Sequence, residues 1–219
     1  MTDWFPLWLS LRVSVVATLV AATLGVALAY ALAKCQSRWS GLVEAVVTLP
    51  IVLPPTVLGY YLLTLLGTQS SLGKAWQSVF GAPLVFTESG AVVAATVSAL
   101  PFVVRAARAA ISNVDPRVEE TARVMGLHET RVALRVTLPL ASRGIGAGVA
   151  LGFARALGDF GATVMVAGNI PGQTQTLPIA VYDAVQAGDD ATARTGSLVL
   201  GAIAIVVLLL ITQVFARRP

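Results

Sequence analysis

Few side chains in this 219-residue chain have the types and spacing that chemistry requires. Arg155 and Asp159 stand four residues apart in an otherwise apolar stretch, so on a helix they share one face and can pair. Charges in apolar surroundings are costly and turn towards an interior or an aqueous cavity. Two roles stay open for them, a structural ion pair or a cation beside the route of an anion. Pro50, Pro54 and Pro55, followed by Thr56, interrupt a second apolar stretch. Proline donates no backbone hydrogen bond and clashes with the carbonyl four residues back, so the carbonyls of Val46, Pro50 and Ile51 need other partners. Such a break either lines a pathway or only shapes packing. Gly144, Gly148 and Gly152, then Ala156, repeat every four residues and present a small-residue face for close helix approach, within one chain or between two copies.

Other arrangements fall short of chemistry. The run from Gly67 to Lys74 resembles a phosphate-binding loop, but five residues separate its glycines where four are needed, and Ala75 stands where a hydroxyl should hold magnesium. His128 is the only histidine and has only Glu129 beside it, so a surface position outweighs catalysis or metal binding. The single cysteine, Cys35, excludes an internal disulfide framework and reads as a small buried or interfacial residue. An intramembrane enzyme would need a nucleophile brought to His128 or a pair of carboxylates at depth, and an ion-driven carrier would need coupling carboxylates. Neither set is visible, and no residues suggest a catalytic group, a cofactor or a metal site.

The elements that must position these residues follow from composition. Hydrophobic residues make up 56% of the chain and charged residues 12%, which belongs in a bilayer. Apolar stretches near residues 7–33, 42–66, 89–110, 143–167 and 197–215 each approach or exceed the ~20 residues that cross a ~30 Å hydrocarbon core. One all-α integral membrane domain with five spans over 1–219 is expected, its first span an anchor rather than a cleaved signal. Basic residues near span ends stay in the cytoplasm. Eleven of the 15 Lys and Arg fall on one side by this reading: Lys34, Arg38, Arg105, Arg108, Arg117, Arg123, Arg131, Arg135, Arg143, Arg217 and Arg218. The N-terminus is then outside and the C-terminus inside, with Trp4 and Trp8 in an outer interfacial belt, and the net charge of +4 reports topology rather than nucleic-acid binding.

Two connections exceed a turn: 111–139 inside and 168–196 outside. In the inner one Asp115 suits an N-cap, Pro116 the first helical position, and Gly126 the end of a first short helix, with a second over about 129–135. In the outer one, 177–186 has apolar residues at helical spacing and is expected to form a short interfacial helix.

The inner loop carries a recognisable pattern. Glu120-Thr121-Ala122, Gly126 three residues later, then Val136, Leu138 and Pro139 resemble the E-A-A-x3-G-x9-I-x-L-P signature of binding-protein-dependent ABC importer permeases. Thr121 for Ala and Val136 for Ile are the two departures. Gly158-Asp-Phe-Gly-Ala-Thr163 and the string from Ala167 through Asn169 to Pro178 are similar to molybdate permeases, whereas sulfate permeases share the signature but not this whole string.

The resemblance implies a non-catalytic permease in the bacterial inner membrane, working as two copies with two ATPase subunits and a periplasmic molybdate-binding protein. ATP and Mg would be held by the ATPase. Glu120, Thr121, Ala122, Gly126, Leu138 and Pro139 would form the coupling helix that seats in the ATPase. Pro50, Pro54, Pro55, Thr56, Arg155, Asp159 and Asn169 become candidates for the pathway or its gate. Sulfate or tungstate stands as the alternative cargo.

Overall fold

The computed structural model describes residues 4–34 and 38–216. Cys35, Arg217 and Arg218 lie outside the described residues. Helices form throughout because a chain this apolar must satisfy each backbone N–H and C=O within its own segment. Three are long enough to cross unbroken: α1 (Phe5–Lys34), α5 (Glu88–Ser112) and α12 (Asp190–Ala216). The remaining spans are broken. Helix α2 (Ser40–Val52) meets α3 (Pro55–Leu66) at a 117° bend, and α9 (Ser142–Leu157) gives way to α10 (Gly161–Ala167) after three non-helical residues. Shorter helices are α4 (Ser71–Phe80), α6 (Pro116–Val124), α7 (Glu129–Val132), α8 (Leu138–Leu140) and α11 (Leu177–Gln186).

The core lies between α1, α5 and α9. Ala17, Ala21, Ala91, Ala95, Ala99 and Val103 are fully buried there. Small side chains suit this contact: lipid tails are as apolar as leucine, so helices gain by close packing rather than by escaping water. A Cβ on Gly144 would lie 2.4 Å from that of Ala110, one on Gly148 2.7 Å from that of Ala106, and one on Gly152 2.9 Å from Val103 Cγ2. All three glycines therefore face α5. Of the two contacts left open for this small-residue face, within one chain or between two copies, the chain's own α5 fills it here.

Several expected boundaries shift. Pro50 stays inside α2, and the chain departs from helix at Leu53 and Pro54. The break does not turn the path back. Glu44 near the start of α2 pairs with Arg108 near the end of α5, whereas α4, following α3, brings Trp76 to the same pocket as Arg12 and Glu88 at the other end of the bundle. The expected fourth span is likewise two helices, interrupted at Gly158–Phe160. The last span starts at Asp190 rather than near 197. Helix α11 packs one face on the bundle, with Leu177 and Ile179 fully buried and the Leu177 N–H donating to Ser10 Oγ at 2.7 Å, and leaves Tyr182 and Val185 exposed. Among the described residues, 198–210 of α12 carry large exposed apolar side chains, including Leu198, Ile205 and Leu209, a face suited to lipid.

The glycine-bounded run after α3 has a structural explanation. Ser70 caps α4, its Oγ accepting from Gly73 N–H at 2.9 Å, and a Cβ on Gly73 would fall 2.0 Å from the Gly67 carbonyl. The glycine is needed for a tight turn.

Candidate functional site: two facing breaks and a coupling knob

The two breaks abut. Pro55, first residue of α3, lies against Gly161, first residue of α10: a Cβ on Gly161 would stand 2.8 Å from Pro55 Cβ. One turn on, a Cβ on Gly59 would meet Met165 and Ala162, so α3 and α10 run in close contact away from the breaks. Between them opens a pocket of about 480 Å³ lined by Pro50, Pro55, Thr56, Phe102, Arg155 and Phe160, among others. Most of the candidate pathway residues are thus brought to one place.

Arg155 and Asp159 pair at 2.8 Å, with Asp159 wholly buried and the Arg155 side chain 25% exposed towards the pocket. Asp159 does more than neutralise its partner. Its Oδ1 also accepts from Ser98 Oγ of α5 at 3.1 Å, and its Oδ2 from Thr163 N–H at 3.0 Å and Thr163 Oγ1 at 2.6 Å. A carboxylate so placed satisfies a first-turn N–H of α10 and holds the interruption against α5. Neither Ser98 nor Thr163 stood out in the sequence. Thr163 lies at helical spacing from Asp159, but Ser98 is 61 residues away.

Asn169 belongs elsewhere. Its Nδ2 donates to Asp183 Oδ2 at 2.7 Å and its Oδ1 accepts from Gln175 at 3.0 Å, which ties 169–175 to α11. It is not among the pocket-lining residues. Helix α11 still reaches the break, because Tyr182 packs on Phe160 with ring centroids 4.9 Å apart.

At the opposite end of α5 the signature loop forms a knob. Asp115 Oδ1 accepts from Arg117 N–H at 2.9 Å and Pro116 opens α6. Gly126 ends the knob's first half at φ +86°, a left-handed backbone that a side chain with a Cβ resists. The second half is longer than expected. Helix α7 continues through a π-helical turn, Ala133–Thr137, into α8, and Leu138 N–H donates to the Ala133 carbonyl five residues back. Pro139 offers no N–H to the carbonyl of Arg135, and the widened turn precedes it. Thr121 is exposed, its hydroxyl donating to Arg117 O at 2.8 Å, whereas Ala122 is buried. Glu120, Gly126 and Pro139 are exposed, as are the apolar Val118, Val124, Met125 and Leu134. His128 is exposed at the N-cap position of α7 without a capping side-chain bond.

The residue that sequence reasoning missed is Glu119. It is 3% exposed, and Lys34 Nζ donates to both its oxygens at 2.7 Å; Thr137 Oγ1 donates to one of them at 2.7 Å, with Arg123 at 3.6 Å. Arg123 continues the chain of charges to Glu129 at 2.6 Å. Burial pushes the Glu119 carboxyl up, but hydrogen bonds from Lys34 and Thr137 and the charges of Lys34 and Arg123 outweigh it and leave it below the usual carboxylate range. Its helical spacing from Ala122 was a signal for the buried face. No pattern marked Lys34, 85 residues distant.

Comparison with known proteins agrees with this geometry. Residues 21–218 match the family described as binding-protein-dependent transport system inner membrane component, and the chain belongs to that family. It is 42% identical over 178 residues, 81% of this chain and 77% of the relative, to the molybdenum transport system permease protein ModB of Haemophilus influenzae. To the Escherichia coli K12 protein of the same name it is 41% identical over 84% of this chain and 80% of that one. A sulfate transport system permease protein CysT of Synechocystis is 32% identical over 84% of this chain and 65% of its own length. In fold, the chain superposes on a chain of the inward-facing MetNI methionine ABC transporter with TM-score 0.78 at 17% identity, covering all of both chains. The chain is thus an all-α membrane component of the ABC importer permease fold.

Proposed function

We propose that this chain is the membrane-spanning subunit of an ATP-driven importer of molybdate, in which two copies enclose the path. Each copy rests on a separate ATPase that holds ATP and Mg, and a periplasmic molybdate-binding protein delivers the anion. The observation that carries this reading is the 41–42% identity over four-fifths of the chain to molybdenum permeases, against 32% for a sulfate permease. The pocket at the facing breaks supports a pathway there, with Arg155 turning part of its guanidinium towards an anion's route. The exposed apolar knob around Val124 and Met125 supports docking in a groove of the ATPase through the segment containing Glu120, Thr121, Ala122, Gly126, Leu138 and Pro139. This chain contributes no catalytic group in this scheme.

The test is reconstitution with the partner ATPase and binding protein in vesicles, measuring hydrolysis and labelled molybdate uptake together. Uptake that excess sulfate does not compete is expected; uptake of sulfate in preference to molybdate reassigns the cargo. Gly126→Val should leave the permease inserted, at a local backbone cost of roughly 1–2 kcal/mol, while uptake falls well below hydrolysis. Full coupling in both Gly126→Val and Glu120→Ala removes the docking assignment. The basic asymmetry supports an N-terminus outside and a C-terminus inside the inner membrane, so an alkaline phosphatase fused after Pro219 should be inactive.

A further inference from the structure

The charge network at the knob has no part in the pathway, and the signature glutamate Glu120 is not its centre. Glu119 points the other way, into the protein, and its three partners come from three elements: Lys34 from the last residue of α1, Thr137 from the π-helical turn, and Arg123 from its own helix. Helix α1 makes the bundle's broadest contact, with α5, and also packs on α9, which follows the knob through a 74° bend. No other ion pair among those described joins the knob to α1. Lys34 Nζ lies 2.7 Å from both Glu119 oxygens while its side chain is 31% exposed, so the carboxylate is sequestered and the cation reaches in from the edge.

We infer that the Lys34–Glu119 pair is the tie through which movement of the coupling knob is passed to α1, so that the first span moves with the knob instead of sliding past it. This rests on the importer reading above. Tertiary continuity alone runs from the knob into α9 and, at the other end of α6, into α5; the ion pair adds the third member of the α1–α5–α9 core. A buried carboxylate with three short hydrogen bonds, two from Lys34 and one from Thr137, resists separation in a way a sliding apolar contact does not, because separating it strands a charge. Lys34 and Glu119 are positioning residues: they touch neither nucleotide nor cargo.

The experiment is the ratio of ATP hydrolysed to anion transported in vesicles of the full complex, for wild type, Lys34→Met, Lys34→Arg and Glu119→Gln. Lys34→Met should raise that ratio about five-fold or more, the scale of a modest coupling free energy. Lys34→Arg, which keeps the charge and hydrogen bonds, should stay near wild type. Glu119→Gln keeps the shape and the Thr137 contact, and should be raised to a lesser degree. A wild-type ratio in both Lys34→Met and Glu119→Gln overturns the tie. Failure of both to insert or to retain the ATPase marks the pair as a folding element only, and also overturns it. Cargo is read separately from wild type, since a complex that moves another anion changes the label used and leaves the variants' ratios to be measured with it.

Discussion

Two buried carboxylates divide the labour of this molecule. Asp159 and Glu119 are both sequestered and both pair with a cation that is partly exposed, Arg155 at 25% and Lys34 at 31%. Their partners differ in kind. Two of Asp159's partners, Arg155 and Thr163, lie four residues either side of it, and only Ser98 is distant; the group pins a local interruption of helix. Glu119 has one local partner, Arg123 at 3.6 Å, but its hydrogen bonds come from residues 85 and 18 positions away, so its satisfaction depends on how α1, α6 and the π-helical turn stand relative to one another. A pin tolerates movement of the bodies around it. A joint senses such movement.

The largest effect expected from this contrast is at Asp159. Asp159→Asn leaves the Arg155 charge without its partner and should destabilise the protein by about 3 kcal/mol, read as a drop in the thermal midpoint in detergent. Arg155→Gln combined with Asp159→Asn should recover part of that loss, as coupled neighbours do. Equal damage from single and double changes would mean that Asp159 acts through Ser98 and Thr163 alone.

A smaller effect separates the adjacent glutamates of α6. Glu119→Ala strands Lys34 and the Thr137 hydroxyl and should cost about 1–3 kcal/mol of permease stability. Glu120→Ala, at an exposed position, should stay within about 0.5 kcal/mol for the isolated permease. Matching losses in the two variants, measured by thermal unfolding without the ATPase, would erase the distinction between a buried joint and an outward-facing contact.

The smallest effect is the pH dependence of the joint. The groups facing Glu119 are Lys34 and Tyr30 from α1, Arg123 and Thr137 from the knob, and Glu129 from α7. Because its carboxyl is held below the ordinary range, its contribution is fully present above the unfolded carboxylate pKa and is lost as pH falls through the lower folded value. Wild type and Glu119→Gln should therefore differ in thermal midpoint by a constant amount at neutral pH and converge only on the acid side. Convergence already near neutrality would show that the carboxyl is not held down in the folded protein.

Much of the region around the facing breaks was legible beforehand, because it depends on local rules. A proline pair must break a helix wherever it falls, so Pro54 and Pro55 marked the first interruption, although Pro50 was accommodated inside α2. The spacing of Arg155 and Asp159 allowed their pairing, yet nothing nearby announced that the helix stops between Leu157 and Gly161. Gly126 was expected to end the first short helix of the knob, and it does so at a positive φ. The glycines of α9 declared a close contact without naming the neighbour, and α5 rather than a second copy turned out to occupy it.

Composition, proline and glycine placement and the signature spacing determined the membrane class, the first broken span and the knob, since each acts within a few residues along the chain. Only the tertiary structure decided that the two breaks face each other across Pro55 and Gly161, and that Glu119 rather than Glu120 turns inward to Lys34. The physical reason is range. Helical geometry sets which residues share a face, but the partner of a buried charge is whichever group packing brings within about 3 Å, and here that partner comes from a helix 85 residues earlier.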